Sequence, residues 1–445
     1  MVTGQQVALF GGPLFSVFKA LTAIKLAAEA SKSGADCVPV FWLATEDHDL
    51  AEVNHVTLLD GEGRLHDMAV SSRGGEDAPV GTVRLGAEIE SVVEAAAQIL
   101  GGSEAAQFLR QSYRPGETLG SAFARLFSLL FRDSGIVLLD ASDPELHRIA
   151  EPVYRGAALA SADLSGDLMR RSKALESAGY HAQVKVTPSS TLLFQMQRGA
   201  RVPVHRANGG FQVGKEKLSP EALTARITAQ PEQFSANVLL RPVVQDYLLP
   251  TLAYVGGPAE VAYFAQASVV YEELLGRVTP VVPRLSATLL EPRVKRLLDR
   301  YRLALPDTFH GGDQLQEALA RHSLPPDLDS RFDSAGAALA ESLQSVTTAL
   351  SDFDPTLAQA AGKAGSKMSY QLERLRGRAA RAQLRRSEQL GRHADEIAAS
   401  LYPHKDLQER TIGGVSFLAR YGTGLLLRLY DAAALGCPGH QIIAL

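Results

Sequence analysis

The chain has 445 residues, a formal net charge of -4 at pH 7 and only two cysteines, Cys37 and Cys437. This length allows two or three domains with a large buried core. The slightly acidic balance argues against a nucleic-acid-binding surface as the main function, and two cysteines exclude both a disulfide framework and a thiolate metal cluster.

No part of the sequence indicates a membrane or secreted protein. No apolar stretch approaches the roughly 20 residues of a membrane helix, and residues 1–10 lack the cationic start and long apolar segment of a signal peptide. We therefore expect a cytoplasmic protein that binds neither a membrane nor a nucleic acid.

The first half of the chain alternates short β-rich apolar segments with helical patterns, which predicts a parallel sheet joined by crossover helices. An apparent buried strand begins almost at Met1. Gly11-Gly12-Pro13 then precedes an amphipathic helix, with the proline at the first helical position. Further strands are predicted at residues 38–43, 56–59 and 136–140, and a further helix at residues 89–100.

The pattern changes at residues 179–218, which we interpret as a small β-rich insert. Short strands are predicted at residues 183–186, 192–197, 201–205 and 210–215, with turns at Arg198-Gly199 and Asn208-Gly209. The α/β pattern resumes with apolar segments at residues 238–249 and 251–255, followed by a helix from Pro258.

After Pro325-Pro326 the sequence becomes polar, alanine-rich and helical. Two helical segments, residues 331–352 and 355–402, are separated at Asp354-Pro355. The second would be about 70 Å long at 1.5 Å per residue. Its apolar residues keep an approximate 3-4 spacing, which indicates a coiled-coil arm whose apolar stripe needs a partner. We expect the arm to pair with a second copy of the chain and form a homodimer.

These patterns divide the chain into segments. A parallel-sheet core takes residues 1–178 and 219–328, and the β-rich insert takes residues 179–218. The helical arm takes residues 329–402, and residues 403–445 return to the core.

Four ionisable side chains, Glu46, Asp47, His48 and Asp49, follow Thr45 at the end of a fully apolar strand. In open parallel sheets, ligands bind beyond the carboxyl ends of the strands. Repulsion among the carboxylates should raise the proton affinity of the cluster and favour cationic His48. The cluster could supply a general base for an amine nucleophile or hold a substrate ammonium. Alternatively, Thr45, Asp47 or Asp49 caps the following turn and a backbone carbonyl satisfies His48.

A metal site is a further alternative for this region. Its ligands would be Asp47, His48, Asp49 and His55, but their spacing matches no recognised ligand pattern. We therefore predict no metal.

Two glycine turns resemble each other, Gly11-Gly12-Pro13 and Gly256-Gly257-Pro258. Each follows a predicted strand and opens a helix, an arrangement that lets backbone N–H groups approach an anion. Neither is a dinucleotide fingerprint or a Walker loop. Side by side they would suit a polyphosphate or a carboxylate, and Glu260 in the first turn of the second helix could hold an amino group. The alternative is a pair of packing turns.

Arg241, Gln245 and Asp246 have approximately i, i+4 spacing and could line the same cleft. Alternatively, Arg241 and Asp246 form a surface ion pair. A third feature, Gly365-Ser366-Lys367-Met368-Ser369, is similar to the lysine loop of class I aminoacyl-tRNA synthetases. It lies inside the long polar helix and lacks the second lysine, so we interpret it as coincidence.

Several motifs in order along the chain resemble the bacillithiol cysteine-adding enzyme family. They are Thr3-Gly4-Gln5-Gln6, Gly11-Gly12-Pro13, residues 41–49 with Asn54-His55, residues 237–242, residues 254–260, Tyr402-Pro403-His404, residues 407–410 and residues 440–443. Together they span almost the whole chain. Family members usually carry more chain before the first motif, so we expect that Met1 is a truncated start.

This resemblance implies an α/β fold with a Rossmann-like core, connecting-peptide inserts and a coiled-coil domain used for dimerisation. It implies the last step of bacillithiol synthesis, in which the carboxyl group of L-cysteine is joined to the glucosamine amine of glucosaminyl malate. It also implies binding of ATP or another adenine nucleotide. An alternative is a non-catalytic nucleotide-binding scaffold or sensor whose helical arm recruits a partner.

The residues and the resemblance together give a candidate site. The predicted catalytic residues are Glu46, Asp47, His48 and Asp49, with His48 as the base for the amine. The predicted substrate-binding residues are Gln5, Gln6, Thr45, Asn54, His55, Arg241, Gln245, Asp246 and Glu260. The predicted nucleotide- or anion-binding residues are Gly11, Gly12, Gly256 and Gly257.

Overall fold

A computed structural model describes residues 1–71, 78–310, 312–322, 324–437 and 439–445. Its strands, in chain order, are β1 Val2–Gln5, β2 Val40–Leu43, β3 His55–Leu59, β4 Leu65–Ala69, β5 Val137–Asp140, β6 Ser190–Gln197, β7 Ala200–Ala207, β8 Gly210–Val213, β9 Glu216–Leu218, β10 Phe234–Ala236, β11 Tyr254–Gly256, β12 Val281–Pro283, β13 Ala287–Leu290 and β14 Gln441–Ala444.

The α-helices, in the same order, are α1 Phe15–Lys32, α2 Leu50–Val53, α3 Glu88–Ile99, α4 Glu104–Ser112, α5 Leu119–Leu130, α6 Pro144–Leu159, α7 Ser161–Ser177, α8 Pro220–Ala229, α9 Arg241–Leu248, α10 Pro258–Leu275, α11 Pro292–Arg300, α12 Gly312–Arg321, α13 Pro326–Phe353, α14 Pro355–Arg386, α15 Glu388–Leu401, α16 Gln408–Thr411, α17 Gly414–Tyr421 and α18 Gly424–Ala432. None of the helices in the described part of the chain combines the length and the apolar character needed to cross a membrane.

The chain forms two units. The first contains Met1–Gly61, Leu65–Thr288 and Glu409–Ile443, and the second contains Glu62–Arg64, Leu289–Gln408 and Ala444–Leu445. The segment after the helical arm therefore belongs mostly to the first unit.

A five-stranded parallel sheet, in the order β12-β11-β1-β2-β5, lies at the centre of the first unit. Thr3 of β1 pairs with Phe41 of β2 on one side and with Val255 of β11 on the other. Because β2 follows β1 on one side while β11 and β12 return on the other, the strand order reverses at β1. A parallel sheet binds its ligands at such a reversal, beyond the carboxyl ends of the strands. The predicted parallel sheet with crossover helices is confirmed.

Burial on both faces explains the composition of the central strands. Phe41, Trp42 and Leu43 are all buried, as the uninterrupted apolar run of β2 requires. β1 carries Gly4 where a Cβ atom would lie 2.9 Å from the carbonyl oxygen of Trp42, so only glycine lets the two strands approach this closely.

One prediction about the core needs correction. The strand predicted at residues 56–59 is present as β3, but it pairs antiparallel with β4 in a separate two-stranded sheet. A parallel crossover needs a dozen or more residues, and only the four-residue helix α2 lies between β2 and β3. The apolar segment at residues 238–249 contains helix α9, which has Pro242 in its first turn.

The predicted β-rich insert is an antiparallel sheet in the order β10-β6-β7-β8-β9. The strand predicted at residues 210–215 ends at Val213 as β8, the chain turns at Gly214, whose φ is +59°, and β9 follows from Glu216. No strand forms at residues 183–186. Instead, the side chain of Gln266 forms hydrogen bonds with both backbone groups of Val184. The Val184 N–H donates to Gln266 Oε1 at 2.8 Å, and Gln266 Nε2 donates to the Val184 carbonyl at 2.9 Å.

The second unit consists mainly of helices. α13 and α14 pack as an antiparallel pair, and Arg376 on α14 forms ion pairs with Asp329 and Asp333 near the start of α13. The single helix predicted over residues 355–402 is wrong, because α14 ends at Arg386 and α15 begins at Glu388. The Ser387 side chain caps the new helix by accepting from the Leu390 N–H at 3.3 Å.

Candidate active site

A cavity of about 560 Å³ lies at the carboxyl ends of β1, β2 and β11 in the first unit. Its walls come from the residues that directly follow these strands and from neighbouring helices. The polar and ionisable lining residues are Gln5, Gln6, Lys19, Asp47, Glu52, His55, Arg241, Gln245, Tyr254, Glu260, Tyr263, Arg284 and Arg410. The cavity therefore lies where the strand order reverses and is lined by both signs of charge.

Lys19 on α1 is the cation at the base of this cavity. Its side chain is 3% exposed, and Nζ donates to the Gly4 carbonyl at 2.6 Å and to Gln5 Oε1 at 2.9 Å. It lies 2.5 Å from Glu260 Oε2. Burial lowers the pKa of Lys19, although Glu260 opposes that shift. Sequence reasoning missed Lys19; the available signal was a lone lysine on an otherwise apolar stretch of helix.

Glu260 is fully engaged within the protein. Besides Lys19, Oε1 accepts from the Tyr254 hydroxyl at 2.7 Å, and Oε2 accepts from the Gly257 N–H at 2.7 Å. This carboxylate thus caps α10 and neutralises Lys19. The position that we expected to hold a substrate amino group is already filled by the ammonium of Lys19.

Asp47 is the acidic residue of the 46–49 cluster that faces the cavity. Oδ2 accepts from Gln6 Nε2 at 3.0 Å and lies 3.7 Å from Arg241, and Oδ1 accepts from the His48 N–H at 3.1 Å. Burial alone would raise the pKa of Asp47, but Arg241, the hydrogen bond from Gln6 and Arg201 outweigh burial and hold it below the ordinary value. Asp47 therefore remains ionised at neutral pH.

Glu46 points away from Asp47. Its Oε1 lies 3.3 Å from His147 Nε2, beside a second cavity of about 10 Å³ that is also lined by Tyr154 and Arg241. Burial raises the pKa of Glu46 to about 8, against the opposing effect of Arg201 and Arg241. The expected rise in proton affinity thus holds for Glu46, with burial as its main cause, and is wrong for Asp47 because of the two arginines.

His48, Thr45 and Asp49 do not line the main cavity. Arg201 Nη1 lies 3.3 Å from His48 Nδ1, and the same guanidinium lies over the Phe194 ring at 4.1 Å. Thr45 donates to Asp140 Oδ1 at 2.5 Å, and exposed Asp49 makes no side-chain cap at the start of α2. Neither the Thr45 nor the Asp49 side chain therefore caps the turn that follows β2.

The expected anion site at the first glycine turn does not form. The Gly11 N–H donates to the Tyr113 hydroxyl at 3.3 Å, and the Gly12 N–H donates to the Leu9 carbonyl at 3.0 Å. At the second turn, Gly257 lines the cavity but gives its N–H to Glu260, and Gly256 approaches the Glu260 side chain too closely for a Cβ atom to fit freely. The N–H groups of Gly11, Gly12 and Gly257 already donate to acceptors within the protein, so packing is the primary role of both turns.

Arg241 and Gln245 line the cavity as expected, but Asp246 does not. The Asp246 side chain is buried, lies 3.0 Å from Arg277 and accepts from the Thr251 N–H at 3.2 Å. The alternative Arg241–Asp246 surface pair is therefore also absent. Helical periodicity explains the difference, because neighbouring positions such as 245 and 246 point about 100° apart.

A second buried ion pair borders the cavity. Arg284 lies 2.8 Å from Glu409, whose carboxylate also accepts from the Ser286 hydroxyl at 3.0 Å and from the Ala287 N–H at 2.8 Å. The guanidinium carbon of Arg284 is 5.2 Å from the centre of the Phe15 ring. Sequence reasoning missed Arg284, although Glu409 lay in one of the family motifs.

Trp42 lines both cavities, and its indole N–H is buried without a hydrogen-bond partner among the described residues. A buried donor normally has a partner, so the Trp42 N–H is an exception in the part of the chain that the structure describes. Within the same described ranges, no group of three or more histidine, cysteine or acidic side chains is arranged to hold a metal ion.

Residues 1–285 match the family described as "Bacillithiol biosynthesis BshC, N-terminal Rossmann-like domain", and residues 287–445 match "Bacillithiol biosynthesis BshC, C-terminal coiled-coil domain". The chain belongs to the BshC family. The Rossmann-like core and the coiled-coil domain predicted from the sequence are thereby confirmed, as is the resemblance to the bacillithiol cysteine-adding enzymes.

Relatives within the BshC family match this chain along its length. The protein named "Putative cysteine ligase BshC" of Koribacter versatilis is 54% identical over 443 residues, which are 100% of this chain and 83% of the relative. Proteins of the same name from Solibacter usitatus and Salinibacter ruber are 39% and 33% identical, again over 100% of this chain and over 84% and 82% of their own lengths.

Proposed function

We propose that this chain is a carbon–nitrogen ligase that joins the carboxyl group of L-cysteine to the amine of glucosaminyl malate, with ATP as the activating substrate. Membership of the BshC family and the cysteine-ligase name of its relatives support the reaction class. Free cysteine and ATP are cytoplasmic metabolites, so we place the reaction in that compartment.

The observation that carries the proposal is the cavity at the reversal of strand order. The cavity brings the ionised Asp47 together with Arg241 and Arg410 at its walls. Glucosaminyl malate and cysteine both carry carboxylate and amino groups, so a binding site for them needs both signs of charge. A cavity of about 560 Å³ is also within the size range of small-molecule sites.

Activation explains why a nucleotide is needed. Forming an amide from a free carboxylate is unfavourable in water, so ATP must first convert the cysteine carboxylate into a mixed anhydride. The amine then attacks the acyl carbon, the C–N bond forms, and the bond from the acyl carbon to the phosphate oxygen breaks. Arg241 places positive charge at the wall of this cavity, where it would stabilise the leaving phosphate oxygen.

The charge state of the lining groups favours Asp47 over Glu260 as the partner of the substrate ammonium. Lys19 already neutralises Glu260 at 2.5 Å. Asp47 remains ionised because of Arg241 and Gln6, and it faces the cavity.

The proposal is tested by incubating the purified protein with L-cysteine, ATP and glucosaminyl malate and detecting the amide product by mass spectrometry. Reactions without ATP, or with serine in place of cysteine, are the controls. We expect product only in the complete reaction. If calorimetry shows nucleotide binding but the complete reaction yields no product, the chain is a nucleotide-binding scaffold and the ligase proposal fails.

We also propose that the helical pair α13–α14 carries self-association into a homodimer. The pair exposes large apolar side chains, including Phe353 at 84% and Leu375 at 55%. α13 has no buried residue at all, which is unusual for an amphipathic helix of 28 residues. Light scattering should report a dimer for the wild type and a monomer for Leu375→Glu. A wild-type monomer at micromolar concentration would refute self-association.

A further inference from the structure

His55, the first residue of β3, places an imidazole at the wall of the main cavity. His48, the other histidine near this site, has Arg201 Nη1 at 3.3 Å from its Nδ1 and does not line the cavity. The difference matters because a general base must come within hydrogen-bond reach of the group that loses the proton. Of these two histidines, only His55 borders the space where a substrate amine would bind.

The residue before His55 orients its ring. Asn54 Nδ2 donates to the Val70 carbonyl at 3.5 Å, which turns Oδ1 toward His55 Nδ1 at 3.4 Å. An amide oxygen only accepts, so this contact favours the neutral tautomer that carries its proton on Nδ1. The same arrangement leaves Nε2 as a proton acceptor.

Other titratable groups in the cavity are poorly suited to accept a proton. Lys19 and Glu260 are paired with each other. Asp47 has a pKa below its ordinary value because Arg241, Gln6 and Arg201 outweigh its burial, so it is a weak base. Burial raises the pKa of the Tyr263 hydroxyl to about 12, which keeps it protonated. Carboxylates as a class are weaker bases than imidazole, which disfavours Glu52.

We propose that His55, oriented by Asn54, accepts the proton that the substrate amine loses during ligation. This assignment rests on the proposed ligase function. The neutral amine forms the C–N bond with the activated cysteine acyl group, the bond to the phosphate oxygen breaks with its electron pair going to phosphate, and the proton on nitrogen moves to His55 Nε2.

The exposure of His55 suits this role, because a base must return its proton to water before the next turnover. Charged groups from neighbouring elements set its electrostatic surroundings. Glu52 on α2 and Arg410 on α16 line the same cavity, and Asp67 lies on the same face of the paired strand β4, bonded to Thr57 Oγ1 at 2.6 Å.

The test compares three single variants in the ligation assay. His55→Gln should lower kcat by about a hundredfold or more, the usual contribution of a general base, with little change in the KM for cysteine. Added imidazole should restore part of the activity of His55→Ala. His66→Gln is the matched control, since His66 lies on the paired strand, outside the cavity and beside Asp60 at 2.8 Å, and it should retain wild-type activity.

A pH profile separates a catalytic from a structural role. Asn54→Asp places a carboxylate beside Nδ1, which stabilises the imidazolium, so the acidic limb of the kcat/KM profile should move to higher pH. A structural defect would lower the whole profile without moving that limb.

Each outcome bears on a different statement. Wild-type kcat in His55→Gln overturns the assignment to His55 while the ligase function stands. A wild-type protein that forms no amide overturns the ligase function and the assignment together.

Discussion

Lys19 Nζ on α1 lies 2.5 Å from Glu260 Oε2 on α10, so one buried ion pair joins the helices that follow β1 and β11. The two strands are neighbours in the central sheet. The pair therefore connects both sides of the strand-order reversal directly below the cavity. Neither charge of this pair can be removed without leaving the other buried and unpaired.

Glu260→Gln should destabilise the protein by about 3–5 kcal/mol, because the buried ammonium of Lys19 loses its counter-charge. The measurement is the free energy of unfolding in urea. The control is Glu29→Gln, which breaks the exposed pair between Glu29 and Lys32 and should not change stability measurably. Similar decreases in the free energy of unfolding in the two variants would show that the buried ion pair of Glu260 contributes no more than the exposed pair of Glu29.

The stability of the wild type should depend on pH through Glu46. Its pKa is about 8 in the folded protein, raised by burial from the ordinary 4.5. Between these values the folded state holds a proton that the unfolded chain has released, so stability falls as pH rises across this window. Glu46→Gln is neutral in both states. The free energy of unfolding of the Glu46→Gln variant, relative to that of the wild type, should therefore increase by about 2–4 kcal/mol from pH 5 to pH 8. Parallel stability curves for the two proteins would refute the raised pKa.

Asp47→Asn should weaken cysteine binding, because the neutral amide lacks the charge that we propose as the partner of the substrate ammonium. A hydrogen bond to a charged group contributes about 1.5–3 kcal/mol, which corresponds to a rise in KM of roughly 10- to 100-fold. Asp133→Asn, at a carboxylate that is 90% exposed, is the control and should leave the KM unchanged. An unchanged KM in Asp47→Asn would remove Asp47 from the binding site.

Gly81→Ala should destabilise the loop that supports the end of β2. An added Cβ atom at Gly81 would lie 2.3 Å from the Thr45 Cβ, and the Gly81 N–H already donates to the Thr45 carbonyl at 2.9 Å. Overpacking of this kind costs about 1–3 kcal/mol. Gly61→Ala is the matched control because nothing lies within 4 Å of its added Cβ atom. Equal melting temperatures for the Gly81→Ala and Gly61→Ala variants would refute the close approach of Gly81 to the Thr45 side chain.

Several elements could be predicted because their signals are local. The apolar stretch before Ala44 predicts β2, and Pro258 after two glycines predicts the start of α10; both are found. The helical periodicity after Pro326 was equally clear, but the break at Ser387 was missed. A single serine is too weak a signal, since its capping role depends on how the chain is turned at that point.

The candidate site was predicted in outline but not residue by residue. Glu46, Asp47 and His48 are adjacent in sequence, yet Glu46 faces His147, Asp47 faces the cavity and His48 faces Arg201. Consecutive side chains in an irregular loop point in directions set by the surrounding elements. Spacing alone therefore located the region without assigning the roles.

Hydrophobic periodicity, together with the positions of glycine and proline, was sufficient to predict the parallel sheet and the helical arm, because these signals lie in residues close together along the chain. The family was indicated by the resemblance of several motifs in order along the chain. The pairing of Lys19 with Glu260 and of Arg284 with Glu409 was decided only in the folded protein. Each pair joins residues far apart in sequence, so its distance and burial follow from the order of the strands. The charge states of Asp47 and Glu46 were also decided only in the folded protein. Each depends on how deeply the fold buries the carboxyl group and on which arginines lie beside it.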